Sequence, residues 1–173
     1  MTNSTSMQTM TERTLEKIRS LDPGLAVAVE RRKSHTLLSL PPARQADFRY
    51  LVRVYDDGEP YIDSMPLGTD ADSDTSFWGW GFADDDYESV EERDLEFLRT
   101  LTRLLTTPSR IWQKSGLLWA SFRCEVREQG VWDQVDCAPV VFSRPSRAPE
   151  IHGKEAFYES APLILNPRGQ SAQ

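Results

Sequence analysis

The chain has 173 residues and a mass of 19.7 kDa, the size of one domain able to bury roughly 70% of its unfolded surface. Leu, Ile, Val and Phe supply 39 residues, about 23%, and together with five Trp they place the chain above the composition of a disordered segment. A formal net charge of −7 disfavours nucleic acid and anionic membrane as partners, no apolar run is long enough to span a bilayer, and the opening MTNSTSMQTM lacks the features of a signal peptide, so a cytoplasmic protein is expected.

Residues 1–8 are rich in Ser, Thr and Asn and read as a disordered tail, with a single domain over 9–165 and a second tail at 166–173. Thr9 and Glu12 have the spacing of a capping box, and Leu15, Ile18 and Leu21 give the helix that follows one apolar face. Asp22-Pro23-Gly24 stops it. The next stretch, 25–40, is ambiguous: Leu25, Val27 and Val29 alternate as in a strand, whereas LAVAVERRK after Pro23 also fits a helix.

Phe48, Tyr50, Val52 and Val54 alternate with polar neighbours and run into Asp57-Gly58, which predicts a hairpin over 47–64. LGTDADSDTS after Pro66 reads as an exposed loop. FWGWGF then sets Trp78, Trp80 and Phe82 on one side of an extended segment, with Phe77, Gly79 and Gly81 on the other.

From Ser89 the period becomes helical through Val90, Phe97, Leu98, Leu101, Leu104 and Leu105, with Ser89 and Glu92 as a second capping box and Pro108 as the boundary. Leu118, Ala120, Phe122, Cys124 and Val126 predict a half-buried strand that turns at Gln129-Gly130. The return strand carries Val131, Val135, Cys137 and Val141 on one parity, with Pro139 making it an edge strand or ending it early. Matching apolar positions across the turn pairs Val126 with Val135 and sets Cys124 directly opposite Cys137, as two buried thiols. A last apolar patch, Pro162 to Leu165, is a further candidate strand. Two hairpins, one long helix and one short helix without regular alternation predict an α+β domain with an antiparallel sheet and the helices on one face.

Charge is distributed unevenly. Between Asp56 and Glu96 stand 15 acidic residues and one basic residue, a net of −14, which leaves +7 on the remainder. Such a focus draws in cations or a basic protein surface. Trp78 and Trp80 flank a glycine between two acidic clusters. Either they belong to the core, with the glycine allowing close packing, or they form an aromatic platform for a cation, a sugar or an arginine-bearing protein surface. Asp84, Asp85 and Asp86 precede the long helix, where negative charge is favourable, yet the capping box already serves that end. The excess acid points to binding. Trp78, Trp80, Asp84, Asp85, Asp86 and Glu88 are accordingly the candidate partner-binding residues.

Catalytic signals are thin. Asp70, Asp72 and Asp74 share the opening spacing of a calcium loop, but Thr75 stands where the sharp turn needs Gly and Gly81 where a closing Glu belongs. They remain weak metal candidates. His35 and His152 have no second ligand at metal spacing, and no phosphate, dinucleotide or nucleophile motif occurs, so no cofactor is expected. Arg31, Arg32 and Lys33 read as a solvated basic run. The expected function is a small acidic protein-binding module, an inhibitor or immunity-type protein being one concrete form. The alternative is a carboxylate-based divalent-metal enzyme, or a domain that binds a sugar or cation through Trp78 and Trp80.

Overall fold

A computed structural model describes residues 8–69, 78–115, 120–137 and 155–165. The first helix, α1 (Met10–Leu21), opens with the full capping box: Glu12 N–H donates to Thr9 Oγ1 at 3.3 Å, and Thr9 N–H donates to the Glu12 carboxylate at 2.8 Å. Its buried side is Met10, Thr14, Ile18 and Leu21. The one polar member is satisfied, because the Thr14 hydroxyl donates to Met10 O at 2.7 Å.

The 25–40 stretch resolves as two strands, β1 (Ala28–Arg31) and β2 (His35–Ser39), and not as a helix. They begin an antiparallel meander continued by β3 (Phe48–Tyr55), β4 (Pro60–Pro66) and β5 (Trp78–Gly81), in spatial order β1-β2-β3-β4-β5. The β3–β4 hairpin matches the sequence expectation. Its turn contains Gly58 at φ 94°, and Asp57 Oδ1 accepts from Glu59 N–H at 3.0 Å.

Helix α2 (Val90–Thr106) follows a short 3-10 turn at Asp84–Asp86. Ser89 Oγ accepts from Glu92 N–H at 3.2 Å as predicted, but the Glu92 carboxylate accepts from Glu88 N–H at 3.1 Å, one residue upstream of the box partner. Four more strands, β6 (Ser109–Ser115), β7 (Ala120–Glu128), β8 (Val131–Cys137) and β9 (Glu155–Ser160), form a second antiparallel sheet ordered β8-β7-β6-β9. The fold is α+β. No helix among the described residues is long and apolar enough to cross a membrane.

Two strands of that second sheet were not read from the sequence. In β6 the core-facing positions are Ser109, Ile111 and Gln113, and in β9 Ala156, Tyr158 and Ser160, so polar or small residues on the inner side hide the alternation. Pro162–Leu165 does not form a strand. Instead Ile164 is buried, and its N–H donates to Leu105 O at 2.9 Å.

The β7–β8 register also departs from the expectation. Gln129 (φ 50°) and Gly130 (φ 84°) both adopt positive φ, the requirement of a two-residue primed turn, and this sets Glu128 opposite Val131 and Val126 opposite Asp133. Turn geometry outranks the matching of apolar residues. A β-bulge between Cys124 and Glu125 then shifts the pairing by one, placing Cys124 opposite Asp136 and Arg123 opposite Cys137, so the cysteines are not directly opposed. Asp133, which apolar matching had kept away from Val126, is compensated by Arg103 of α2 at 2.7 Å, while Val135 still packs against the core. Cys124 is buried, and the Cys137 side chain lies outside the described residues.

One core joins both sheets and both helices. It includes Ile18 from α1, Tyr50, Val52 and Ile62 from the first sheet, Phe97 and Leu101 from α2, and Ile111, Cys124 and Val126 from the second sheet. Within it the Tyr50 hydroxyl donates to Ser109 Oγ at 2.7 Å, a buried bond between the sheets, and burial pushes the Tyr50 phenol well above its ordinary value. Gln45–Asp47 and Glu159–Ala161 close the junction: Asp47 N–H donates to Glu159 O and Ala161 N–H to Gln45 O, both at 2.8 Å.

Candidate functional site

The aromatic segment is fixed by its glycines. A methyl group on Gly79 would lie 2.6 Å from Tyr61 Oη and 2.7 Å from Asp63 Oδ1, and one on Gly81 would lie 2.9 Å from Tyr61 Cδ2. Tyr61 therefore lies across β5 over the two glycines, while Trp80 is directed to the opposite side, half-buried against the core and 6.2 Å edge-on from Phe82. Gly79→Ala is expected to cost roughly 1–3 kcal/mol, because Asp63 is buried and paired with Arg53 and cannot easily retreat. A urea melt with an unchanged midpoint would show that Tyr61 and Asp63 both give way without cost. Trp78 pairs with Ser64 through the backbone, and its side chain lies outside the described residues, as do Phe77 and the carboxylates Asp70, Asp72 and Asp74.

The acidic residues divide into two groups. Asp56 pairs with Arg31, Asp63 with Arg53, Asp84 and Asp94 with Arg93, and Glu96 with Arg99, so five of the twelve that lie among the described residues are paired with arginine. Asp84 is thus part of the internal framework: its side chain is engaged by buried Arg93, and its N–H donates to Glu59 Oε1 at 3.1 Å. Asp85, Asp86, Glu88 and Glu91 are exposed and form no ion pair among the described residues. Among those residues no group of three or more His, Cys, Asp or Glu is placed to hold a metal ion.

On α2 the exposed positions Glu91, Glu92, Leu95, Glu96 and Arg99 recur at three- and four-residue spacing, which makes them one stripe opposite the buried face. Leu95, 49% exposed, lies between the glutamates. The sequence shows the acidic focus directly, and Leu95 only as an exception to the helical period set by the buried side. The break in that period, an apolar residue out of phase with Phe97 and Leu101, was the available signal.

A second surface was not anticipated. On the outer side of the second sheet, Arg110, Trp112, Arg123, Glu125, Arg127, Trp132 and Phe157 stand opposite the core parity. The Arg110 guanidinium lies 4.2 Å from the Trp132 ring centroid and 4.8 Å from that of Phe157, while Glu125 accepts from Arg110 Nε at 2.6 Å. Arg123 lies 5.1 Å from the Trp112 ring. Trp112 and Trp132, two tryptophans on the polar parity of their strands, were the sequence signal.

His35 lies at the start of β2, tilted against Tyr55 at 5.5 Å. Burial, followed by the nearby charges of Arg53, Arg32 and Arg31, holds its pKa below the ordinary value and favours the neutral ring at pH 7.

No family model matches the sequence, and neither a curated protein nor a solved structure matches it.

Proposed function

We propose that the protein is a binding module that engages a basic protein partner through the exposed side of α2 and the turn before it, with Asp85, Asp86, Glu88 and Glu91 as the charged field. The observation that carries the reading is Leu95, an exposed apolar side chain set among glutamates. On this stripe Glu91 and Glu92 precede Leu95, and Arg99, paired with Glu96, follows it, so acidic charge borders the anchor on its N-terminal side, where it can steer a cationic partner while the anchor is desolvated on contact. Asp84 is left out of this surface because Arg93 already engages it. An inhibitor or immunity-type protein, whose acidic face covers a cationic nucleic-acid site, is the concrete form of the proposal.

Capture of the native partner on immobilised protein, at low and at physiological salt, tests it. Wild type should retain the partner less well as salt rises, since at about 0.15 M exposed charges are screened beyond about 8 Å. Neutralising Asp85, Asp86, Glu88 and Glu91 together should slow association about tenfold or more, and Leu95→Ala should speed dissociation about tenfold. Equal retention by wild type and the neutralised variant would refute the proposal.

A further inference from the structure

A cleft of about 450 Å³ opens at the end of the second sheet where β6 and β8 begin and β7 and β9 finish, and nothing in the acidic reading uses it. Gln45, Asp47, Ser109, Arg127, Trp132 and Glu159 supply its polar and aromatic lining, and its size suits a small molecule.

The walls are fixed in advance. Trp132 is stacked by Arg110, which is itself anchored by Glu125 and is not part of the lining. Asp47 Oδ2 accepts from Glu159 N–H at 2.8 Å, and the backbone bonds around Ala46 lock that segment to β9. Arg127 is held through its backbone, whose N–H donates to Pro108 O at 2.8 Å. A site whose backbone, aromatic wall and Asp47 carboxylate are already ordered loses less freedom when a ligand enters.

Charge selects among ligands. An anion drawn by Arg127 would meet two carboxylates, Asp47 and Glu159. A cation seeking the Trp132 ring would find guanidinium groups near it, Arg110 at 4.2 Å and Arg127 at 6.0 Å. A neutral molecule avoids both conflicts. It needs one apolar face for the indole, together with several hydroxyl groups that donate to carboxylates and accept from the guanidinium and from the Gln45 amide.

We propose that this cleft binds a neutral sugar ring, stacked on Trp132 and hydrogen-bonded by Asp47, Glu159 and Arg127. The inference is independent of the partner surface on α2.

The experiment is a titration of the intact chain with glucose, galactose, mannose, N-acetylglucosamine and their neutral disaccharides, read by saturation-transfer NMR and by tryptophan fluorescence. At least one sugar should saturate, and Trp132→Leu and Glu159→Gln should each weaken it about tenfold or more. Glu159→Gln alters an exposed side chain, so an unchanged thermal midpoint will separate lost binding from lost folding. The proposal is overturned if no sugar saturates by about 20 mM, which corresponds to negligible affinity. Binding that both variants leave intact, or tighter saturation by arginine or inorganic phosphate, would also overturn it.

Discussion

Arg93→Ala is expected to lower the unfolding free energy by roughly 3–5 kcal/mol, the cost of breaking a buried ion network by removing one member. The Arg93 side chain is only 3% exposed and has four bonds: Nε and Nη2 donate to Asp94 Oδ1 at 3.0 and 2.8 Å, Nη2 donates to Gly58 O at 3.2 Å, and Nη1 donates to Asp84. Arg13 of α1 reaches Asp94 from the other side. The Arg93 guanidinium therefore ties α2, the 3-10 turn and the β3–β4 turn, and Asp94 extends the network to α1 through Arg13. Without it Asp94, itself buried, keeps Arg13 as its remaining ion-pair partner, and the 3-10 turn loses its anchor. For a chain of this size, the thermal midpoint should fall by roughly 6–20 °C. Arg93→Met combined with Asp94→Leu should cost less than Arg93→Ala alone, because no buried charge then remains: Arg13 and Asp84, which each lose a partner, are partly exposed and can be hydrated. If the single variant loses under about 1 kcal/mol in urea, the network is not a structural tie.

Phe97→Ala should cost a similar roughly 3–5 kcal/mol by a different mechanism, the loss of buried apolar surface together with the cavity left behind. Phe97 is fully buried on α2, packed edge-on to Phe82 at 5.3 Å, and Phe82 in turn stacks against Tyr87 at 6.4 Å. It belongs to the core cluster to which both sheets and both helices contribute, so refilling the cavity requires several elements to move. Phe97→Leu, which refills most of the volume, should recover more than half of the loss. Equal destabilisation by the two variants would place the effect in ring geometry and not in volume.

Legibility of the fold in the sequence depended on which residues face the core. α2 and the β3–β4 hairpin were readable because Phe97, Leu101, Leu104, Tyr50 and Val52 are apolar where they are buried. β6 was not, because Ser109 and Gln113 occupy inner positions and are satisfied there by Tyr50 and Tyr158. The β7–β8 register was misread because a positive φ at Gln129 has no sequence signature, glutamine being an uncommon residue in that conformation. For the candidate surfaces the same limit applied in three dimensions. A charge count shows where acid is concentrated along the chain, but only the packing shows that Asp84 belongs to Arg93 and that Asp85 and Asp86 face water. The cleft beside Trp132 was beyond sequence reading altogether, since Asp47, Arg127 and Glu159 come from distant segments.

That distance also shapes how the molecule reaches its folded state. Asp47 and Glu159 are separated by 112 positions, and Ile164 bonds to Leu105, so the seam between the sheets is closed by segments made far apart in time. A growing chain can assemble the β1–β5 meander from neighbouring hairpins while synthesis continues. β6, by contrast, has one edge without its partner until residues 155–160 emerge. Contacts of such high sequence separation slow the final search, and an uncovered strand edge is the point at which a half-made chain pairs with the wrong neighbour.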